Sequence, residues 1–197
     1  MQVIQGRRSV RAYQQQDVTT AQLTQILEAA RWAPSPHGRQ PWRFAVITRL
    51  ERREQLSNAM AAQWRQHLAL DGQDAATIDA RLAKSRQRIL GAPASIIACL
   101  YLADLDRYPD AERQAAETTM AIQSLGCAVQ NMLLMTYSLG LDSGWMCAPL
   151  FCPDVVRAVL ELDMALIPHA LITIGYAAYD PHRRERYSLA DLVVRWE

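Results

Sequence analysis

Apolar and polar residues follow helical spacing in some parts of the chain and strand-like runs in others. Apolar residues three and four positions apart predict a first long helix, which includes Leu23 and Ala30. The same spacing predicts two amphipathic helices, Leu50 to Leu70 and about Ala75 to Leu90. We call this pair, residues 50–90, the helical excursion.

A further predicted helix, Gln114 to Leu139, is apolar on nearly every side and has small residues interleaved. This pattern predicts a fully buried helix, either in the core of the domain or at a subunit interface. Gly140 is suited to end it in the left-handed conformation. Pro153 can occupy the first turn of a shorter helix that runs to Leu160.

Runs of apolar and β-branched residues predict the strands. They are Phe44 to Thr48, Ser95 to Leu102, Leu141 to Cys147, Pro168 to Ala177 and a last strand within Ala190 to Glu197. Helices and strands are mixed without strict βαβ alternation, which indicates the α+β class. Because no repeat or low-complexity linker interrupts the sequence, we expect residues 1–197 to form a single domain.

Composition narrows the classes of function. The chain has 21 basic and 20 acidic residues, and this balance argues against a general surface for nucleic acid or anionic membrane. Its longest apolar run, Ile96 to Ala103, is far shorter than the roughly 20 residues that a membrane-spanning helix needs. Arginines near the start interrupt any hydrophobic leader, so no secretory signal is expected.

The cysteines bear on the cellular compartment and on metal binding. Cys99, Cys127, Cys147 and Cys152 lie among apolar residues and lack the paired spacing of a zinc site. We therefore expect reduced thiols, no metal site and a cytoplasmic protein.

Two kinds of segment are candidates for binding a ligand. Residues 33–44 hold three prolines and a glycine, so they form a loop, and this loop carries polar side chains between a helix and a strand. It either holds a polar ligand or is only a connection. Near the start, the run from Arg7 to Arg11 has three arginines and a serine. Such a run can surround a phosphate, or it can be a solvated charge cluster.

These segments together resemble the flavin-dependent nitroreductase family. The matching stretches are residues 7–13, 33–44, 139–145 and 175–186, so the resemblance extends over essentially the whole chain. It implies an FMN-binding α+β fold with a central mixed or antiparallel sheet flanked by helices. It also implies an intertwined homodimer with flavin sites at the interface and tails exchanged between subunits. Residues 60–84 further resemble the FMN-binding carboxy-terminal domain of the deazaflavin-coenzyme γ-glutamyl ligases.

The resemblance also implies which residues form the site. Those implied for cofactor binding are Arg7, Arg8, Ser9, Val10, Arg11, Ser35, Pro36, His37, Gln40, Trp145, Met146, Cys147, Arg183, Arg184 and Arg186. Among them, Arg7, Ser9, Arg184 and Arg186 match positions at the phosphate, and Arg11 matches one near the pyrimidine edge. Trp64, Arg65 and His67 are the candidate substrate residues. No catalytic side chain and no metal is implied, because the flavin itself carries the hydride.

The function that the resemblance implies is that of an FMN-dependent oxidoreductase. It would take a hydride from a reduced nicotinamide or deazaflavin and pass it to a small-molecule acceptor. In the most specific form, that acceptor is a dehydro precursor of a deazaflavin coenzyme. The alternatives are a generic NAD(P)H-dependent nitro or quinone reductase and a non-catalytic flavin- or deazaflavin-binding module. The helical excursion, with its basic residues from Arg81 to Arg88, either covers a bulky substrate or completes the core.

Overall fold

A computed structural model describes residues 1–183 and 185–197. Its helices are α1 (Gln2–Gly6), α2 (Thr20–Arg31), α3 (Leu50–Leu70), α4 (Ala75–Leu90), α5 (Ala111–Ser138), α6 (Pro153–Leu160) and α7 (Leu189–Leu192). Its strands are β1 (Trp42–Ile47), β2 (Ala94–Tyr101), β3 (Asp142–Met146) and β4 (Leu166–Gly175). Within the described residues, no helix has both the length and the apolar character needed to cross a membrane.

The four strands form one antiparallel sheet in the order β1-β2-β4-β3. Residues of β2 alternate between its two faces, as strand geometry requires. Ile96 and Leu100 pack with α2 and α5, whereas Ile97 and Cys99 pack with α3 and α6. Helices therefore cover both faces of the sheet, which explains why its central strands, β2 and β4, are mostly apolar and buried. The α+β prediction is confirmed, and the sheet takes the antiparallel form.

The helix boundaries follow from capping side chains. The Thr19 hydroxyl accepts a hydrogen bond from the Gln22 backbone N–H and begins α2, and Asp74 begins α4 in the same way. Asp110 accepts from the Arg113 backbone N–H at 2.9 Å. This cap starts α5 at Ala111, three residues before the predicted start.

Helix α5 departs from the predicted burial. Leu125 and Met132 are buried, but Met120, Ile122 and Cys127 are exposed on the same helix. The prediction of a fully buried helix is thus wrong for the single chain, and Cys127 does not lie in apolar surroundings. The exposed residues leave α5 with a partly apolar outer surface.

The predicted last strand is also wrong. Ser188 and Asp191 form a capping box that starts the short helix α7 instead. Residues 193–197 form no strand in the described structure, and the side chains of Val194 and Trp196 are exposed. The segment pairs with no strand within residues 1–183 and 185–197, and Val194 and Trp196 are left in solvent.

Candidate functional site

The N-terminal segment, residues 7–13, lies along strand β3. The Val10 backbone N–H donates to the Ser143 carbonyl at 2.9 Å, and Ser9 and Ser143 form a parallel bridge. Gly144 makes this approach possible, because a Cβ there would lie 2.5 Å from the Val10 carbonyl oxygen. The site therefore depends on a glycine in β3 that lets a second backbone come close.

Side chains of this segment alternate between a buried and an exposed side, as in a strand. Val10 is buried, whereas Ser9 and Arg11 are exposed on the opposite side. Arg7 is half-buried, and its buried Nε has no hydrogen-bond partner among the described residues. The segment thus presents the basic residues and the serine hydroxyl outward, as an anion-binding site would require.

In this region Arg7 lies near Arg186, and Arg11 lies near Arg88. Burial lowers the pKa of Arg7, and the nearby charge of Arg186 lowers it further. The pKa of Arg88 is lowered first by burial and then by the charge of Arg11. None of these four arginines forms an ion pair within residues 1–183 and 185–197. Because like charges repel, a bound anion would stabilise each pair. The residues of each pair therefore fit an anionic group of a ligand.

Other predicted arginines have structural contacts. Arg8 donates from Nη1 to the Gln5 and Gly6 carbonyls, and its Nε lies 3.5 Å from Asp180. Arg183 donates to the same Gln5 carbonyl at 2.5 Å. Both side chains tie the residues around Asp180 and Arg183 to α1. Arg184, which was predicted at the phosphate, lies outside the described residues.

The proline loop, residues 33–41, has an unusual backbone. His37 and Gln40 have φ angles of 52° and 50°, a region that non-glycine residues rarely adopt. The Ser35 hydroxyl accepts a hydrogen bond from the Gln40 backbone N–H at 3.0 Å, and Pro36 begins a short 3-10 turn. Strained backbone of this kind is common at ligand sites.

Two arginines of the loop region support its conformation. Arg39 pairs with Asp106 at 2.7 Å. Arg43 reaches Asp104 and lies 4.4 Å from the ring centre of Tyr101. These contacts fix the loop to the chain that follows β2, so neither arginine faces the region of Arg7.

The proline loop and the N-terminal segment lie at opposite corners of the sheet. The loop leads into Trp42, which pairs with Leu100, whereas Ser143 pairs with Ile174 beside Ala94. Six residues along the strands and three strand spacings across correspond to about 25 Å in an ideal sheet. A single chain therefore does not bring these two predicted parts of the site together.

A cavity of about 570 Å³ lies between the helical excursion and the end of β3. Its lining includes Trp64, His67, Arg81, Lys84, Arg88, Met146, Phe151 and Cys152. Trp64 and His67 were predicted to contact substrate, and they do line the cavity. Arg65 was predicted with them but points elsewhere, since its Nη2 pairs with Asp79 at 2.6 Å beside a separate groove.

The end of β3 contributes the remaining predicted residues. Met146 lines the cavity, while Trp145 and Cys147 are exposed next to it. Cys152 also lines the cavity, and burial raises the pKa of its thiol, which disfavours the thiolate form. The structure has Cys99, Cys127, Cys147 and Cys152 as free thiols. Among the described residues no cluster of potential ligands could hold a metal ion.

Three comparisons place this chain among known proteins. A provisionally named NADH dehydrogenase/NAD(P)H nitroreductase of Methanothermobacter thermautotrophicus is 26% identical over 95% of this chain and 82% of its own. A provisionally named nitroreductase of Desulfovibrio desulfuricans, solved with FMN, is 27% identical with a TM-score of 0.77, covering 100% and 95% of the two chains.

A third relative has the same fold. It is an FMN-dependent nitroreductase of Mycobacterium smegmatis, solved with NADPH, which is 21% identical with a TM-score of 0.76 and covers 100% and 96% of the two chains. A sequence model of the nitroreductase family matches residues 4–176, which is most of the chain. The protein therefore belongs to the nitroreductase family.

Proposed function

We propose that this protein is an FMN-dependent oxidoreductase that uses a reduced nicotinamide as hydride donor. The observation that carries the proposal is the two arginine pairs, Arg7 with Arg186 and Arg11 with Arg88, which have no acidic partners among the described residues. FMN is the cofactor in solved relatives of the chain. When bound, it supplies the two-electron hydride chemistry.

The side chains of this protein would bind and orient the cofactor. Arg7 and Arg186 would donate charge-assisted hydrogen bonds to the phosphate, and the exposed Ser9 hydroxyl would add a further donor. Arg11 would place a fixed positive charge at the other end, where it favours the anionic reduced ring. Met146 would lie between this ring and the cavity.

A second copy of the chain would complete the site. The proline loop, with Ser35, Pro36, His37 and Gln40, lies too far from Arg7 to serve the same cofactor within one chain. In a two-fold dimer, the loop of each subunit can reach the cofactor bound by its partner. The exposed apolar residues of α5 and the unpaired segment 193–197 offer surface for such an assembly. Light scattering that finds an active monomer would contradict it.

Two experiments test the FMN assignment: loading the protein with FMN, and removing the positive charge of Arg7 or Arg186. The purified or reconstituted protein should show flavin absorbance and release FMN, and not FAD, on denaturation. Arg7→Ala should weaken FMN binding by about 1.5–3 kcal/mol, the usual loss for a charged hydrogen bond, and the exposed Arg186→Ala by the lower end of that range. The control is Arg31→Ala, which removes an exposed arginine paired with Glu28 on α2.

The outcomes separate the candidate functions. A protein that takes up no FMN would contradict the proposal. A protein that binds FMN but transfers no electrons from NADPH to a quinone would be a non-catalytic flavin carrier. Equal FMN affinity in the wild type, Arg7→Ala and Arg186→Ala would show that the phosphate binds elsewhere.

The more specific proposal concerns a deazaflavin-coenzyme precursor as the acceptor. It rests on the resemblance of residues 60–84 to the flavin domain of the γ-glutamyl ligases. The test compares turnover of the dehydro precursor with turnover of menadione, and a reduced deazaflavin with NADPH as donor. Preference for menadione and NADPH would leave a generic nitro or quinone reductase.

A further inference from the structure

Three basic residues of α4 face the cavity without acidic partners. Arg81, Lys84 and Arg88 follow one another at spacings of three and four, so they share one side of the helix. None of the three forms an ion pair with any described residue. Among the described residues that line the cavity, Asp71 alone carries a carboxylate.

The opposite side of the excursion is arranged differently. Arg65 pairs with Asp79 at 2.6 Å, and Arg86 pairs with Glu54 at 3.1 Å. Both lie along a shallow groove on the far side of α3 and α4. Asp79 and Glu54 thus neutralise the arginines of that side, and the cavity side carries three basic residues against the single carboxylate of Asp71 among its described lining residues.

Apolar and aromatic side chains share the cavity with these charges. Trp64 from α3 and Phe151 after β3 both line it and are partly exposed, and Met60 and Met146 line it as well. Gln63 and His67, which also line the cavity, hydrogen-bond to each other at 2.9 Å. The cavity combines flat apolar surface with a row of positive charge.

We propose that this cavity selects a fused-ring aromatic acceptor that carries an anionic group. This inference rests on the proposed oxidoreductase function and names its substrate class. The rings would pack on Trp64 and Phe151, and a carboxylate, sulfonate or phosphate would bind Arg81 and Lys84.

Helix geometry sets the size of the acceptor. Arg88 lies close to Arg11, and so it marks the end of the cavity nearest the cofactor. Along α4, Arg81 is seven residues from Arg88, a rise of about 10 Å. An acceptor that reacts at one end and is bound at the other must span this rise. Fused rings with an attached anionic group are long enough to do so.

The test uses a charged acceptor and its neutral twin, anthraquinone-2-sulfonate and anthraquinone-2-sulfonamide. In each reaction NADPH loses a hydride and becomes NADP⁺, and the quinone gains two electrons and two protons, the second proton from solvent. Assays are anaerobic, so that oxygen does not reoxidise the hydroquinone. The test protein is the FMN-loaded double variant that combines Arg81→Gln and Lys84→Gln. The control is the FMN-loaded double variant that combines Arg65→Gln and Arg86→Gln, on the side of the excursion away from the cavity.

The first pair should raise KM for the sulfonate by about three- to ten-fold and leave KM for the sulfonamide unchanged, since partly exposed charge contacts contribute modestly. The control pair should change neither value. At saturating NADPH, raising the salt concentration should raise KM more for the sulfonate than for the sulfonamide. Equal effects on both acceptors, or an effect of the control pair equal to that of the first pair, would overturn the inference.

A binding measurement separates this inference from the proposed function. Anthracene-2-sulfonate is fluorescent and is not reduced, so its anisotropy reports cavity binding independently of turnover. Its affinity should fall in Arg81→Gln with Lys84→Gln and hold in the control. If the sulfonamide is reduced normally and no charge preference appears, the inference fails while the oxidoreductase function stands. If neither quinone is reduced, the proposed function fails.

Discussion

Gly144→Ala tests whether the close contact between β3 and the N-terminal segment builds the cofactor site. The added Cβ would lie 2.5 Å from the Val10 carbonyl oxygen and 2.8 Å from Thr173 Oγ1. Both distances are far shorter than a normal contact, and the first atom belongs to backbone. The segment must therefore move away from β3.

The cost can be estimated from the contacts that such a movement breaks. Overpacking of a core position costs about 1–3 kcal/mol. The hydrogen bond from Val10 N–H to the Ser143 carbonyl, at 2.9 Å, contributes about 1 kcal/mol. Arg7, Ser9 and Arg11 move with the segment, so FMN binding weakens as well. A loss of about 1–3 kcal/mol corresponds to roughly five- to 150-fold in affinity.

Two measurements separate local from global effects. FMN fluorescence quenching gives the affinity, and circular dichroism gives the melting temperature, which should fall by about 2–10 °C. Ser143→Ala is the matched control, because it removes a buried hydroxyl that has no partner in the described structure and keeps the backbone hydrogen bond. We expect that control to behave like the wild type. Gly144→Ala with unchanged FMN affinity and melting temperature would refute this account of the site.

Two further predictions concern stability. Arg53 is buried in α3 and donates to the Leu90 carbonyl at the end of α4. Arg53→Ala should lower the free energy of unfolding by about 2 kcal/mol in urea titrations, and an unchanged midpoint would show that this contact is dispensable. Burial lowers the pKa of His169 in the folded state, so the unfolded chain binds its proton more readily. Stability should therefore fall as the pH drops from 7 to 5, and His169→Gln should flatten that dependence, whereas parallel pH profiles would contradict it.

Local periodicity predicts most of the fold because each element buries one side against the sheet. Predicted helices and observed helices agree closely for α3, α4 and α6. The sequence-based predictions fail where a capping side chain, or the lack of a strand to pair with, determines the local structure. Asp110 starts α5 early, and the capping box of Ser188 and Asp191 makes a helix where apolar residues predict a strand.

The side-chain arrangement of the cavity was harder to predict. Helical spacing shows that Trp64 and His67 share a side and that Arg81, Lys84 and Arg88 do too. It does not show which side faces a cavity, because both sides of the excursion carry arginines. The side that faces away from the cavity is recognised by its acidic residues, which pair with the arginines there. Asp79 and Glu54 bind Arg65 and Arg86, and only the three-dimensional structure reveals that pairing.

The predicted cofactor site has two parts, and the sequence does not show whether they come from one subunit or from two. The sequence marks both the N-terminal arginines and the strained proline loop, and one chain holds them at opposite corners of its sheet. The strain at His37 and Gln40 and the exposed Val194 and Trp196 are unfavourable features of an isolated subunit. Dimer formation would offset both features if the proline loop contacts the cofactor of the partner subunit and residues 193–197 pack on that subunit. Cofactor binding and dimer formation would then stabilise each other, since a ligand that binds only the assembled form favours it by mass action.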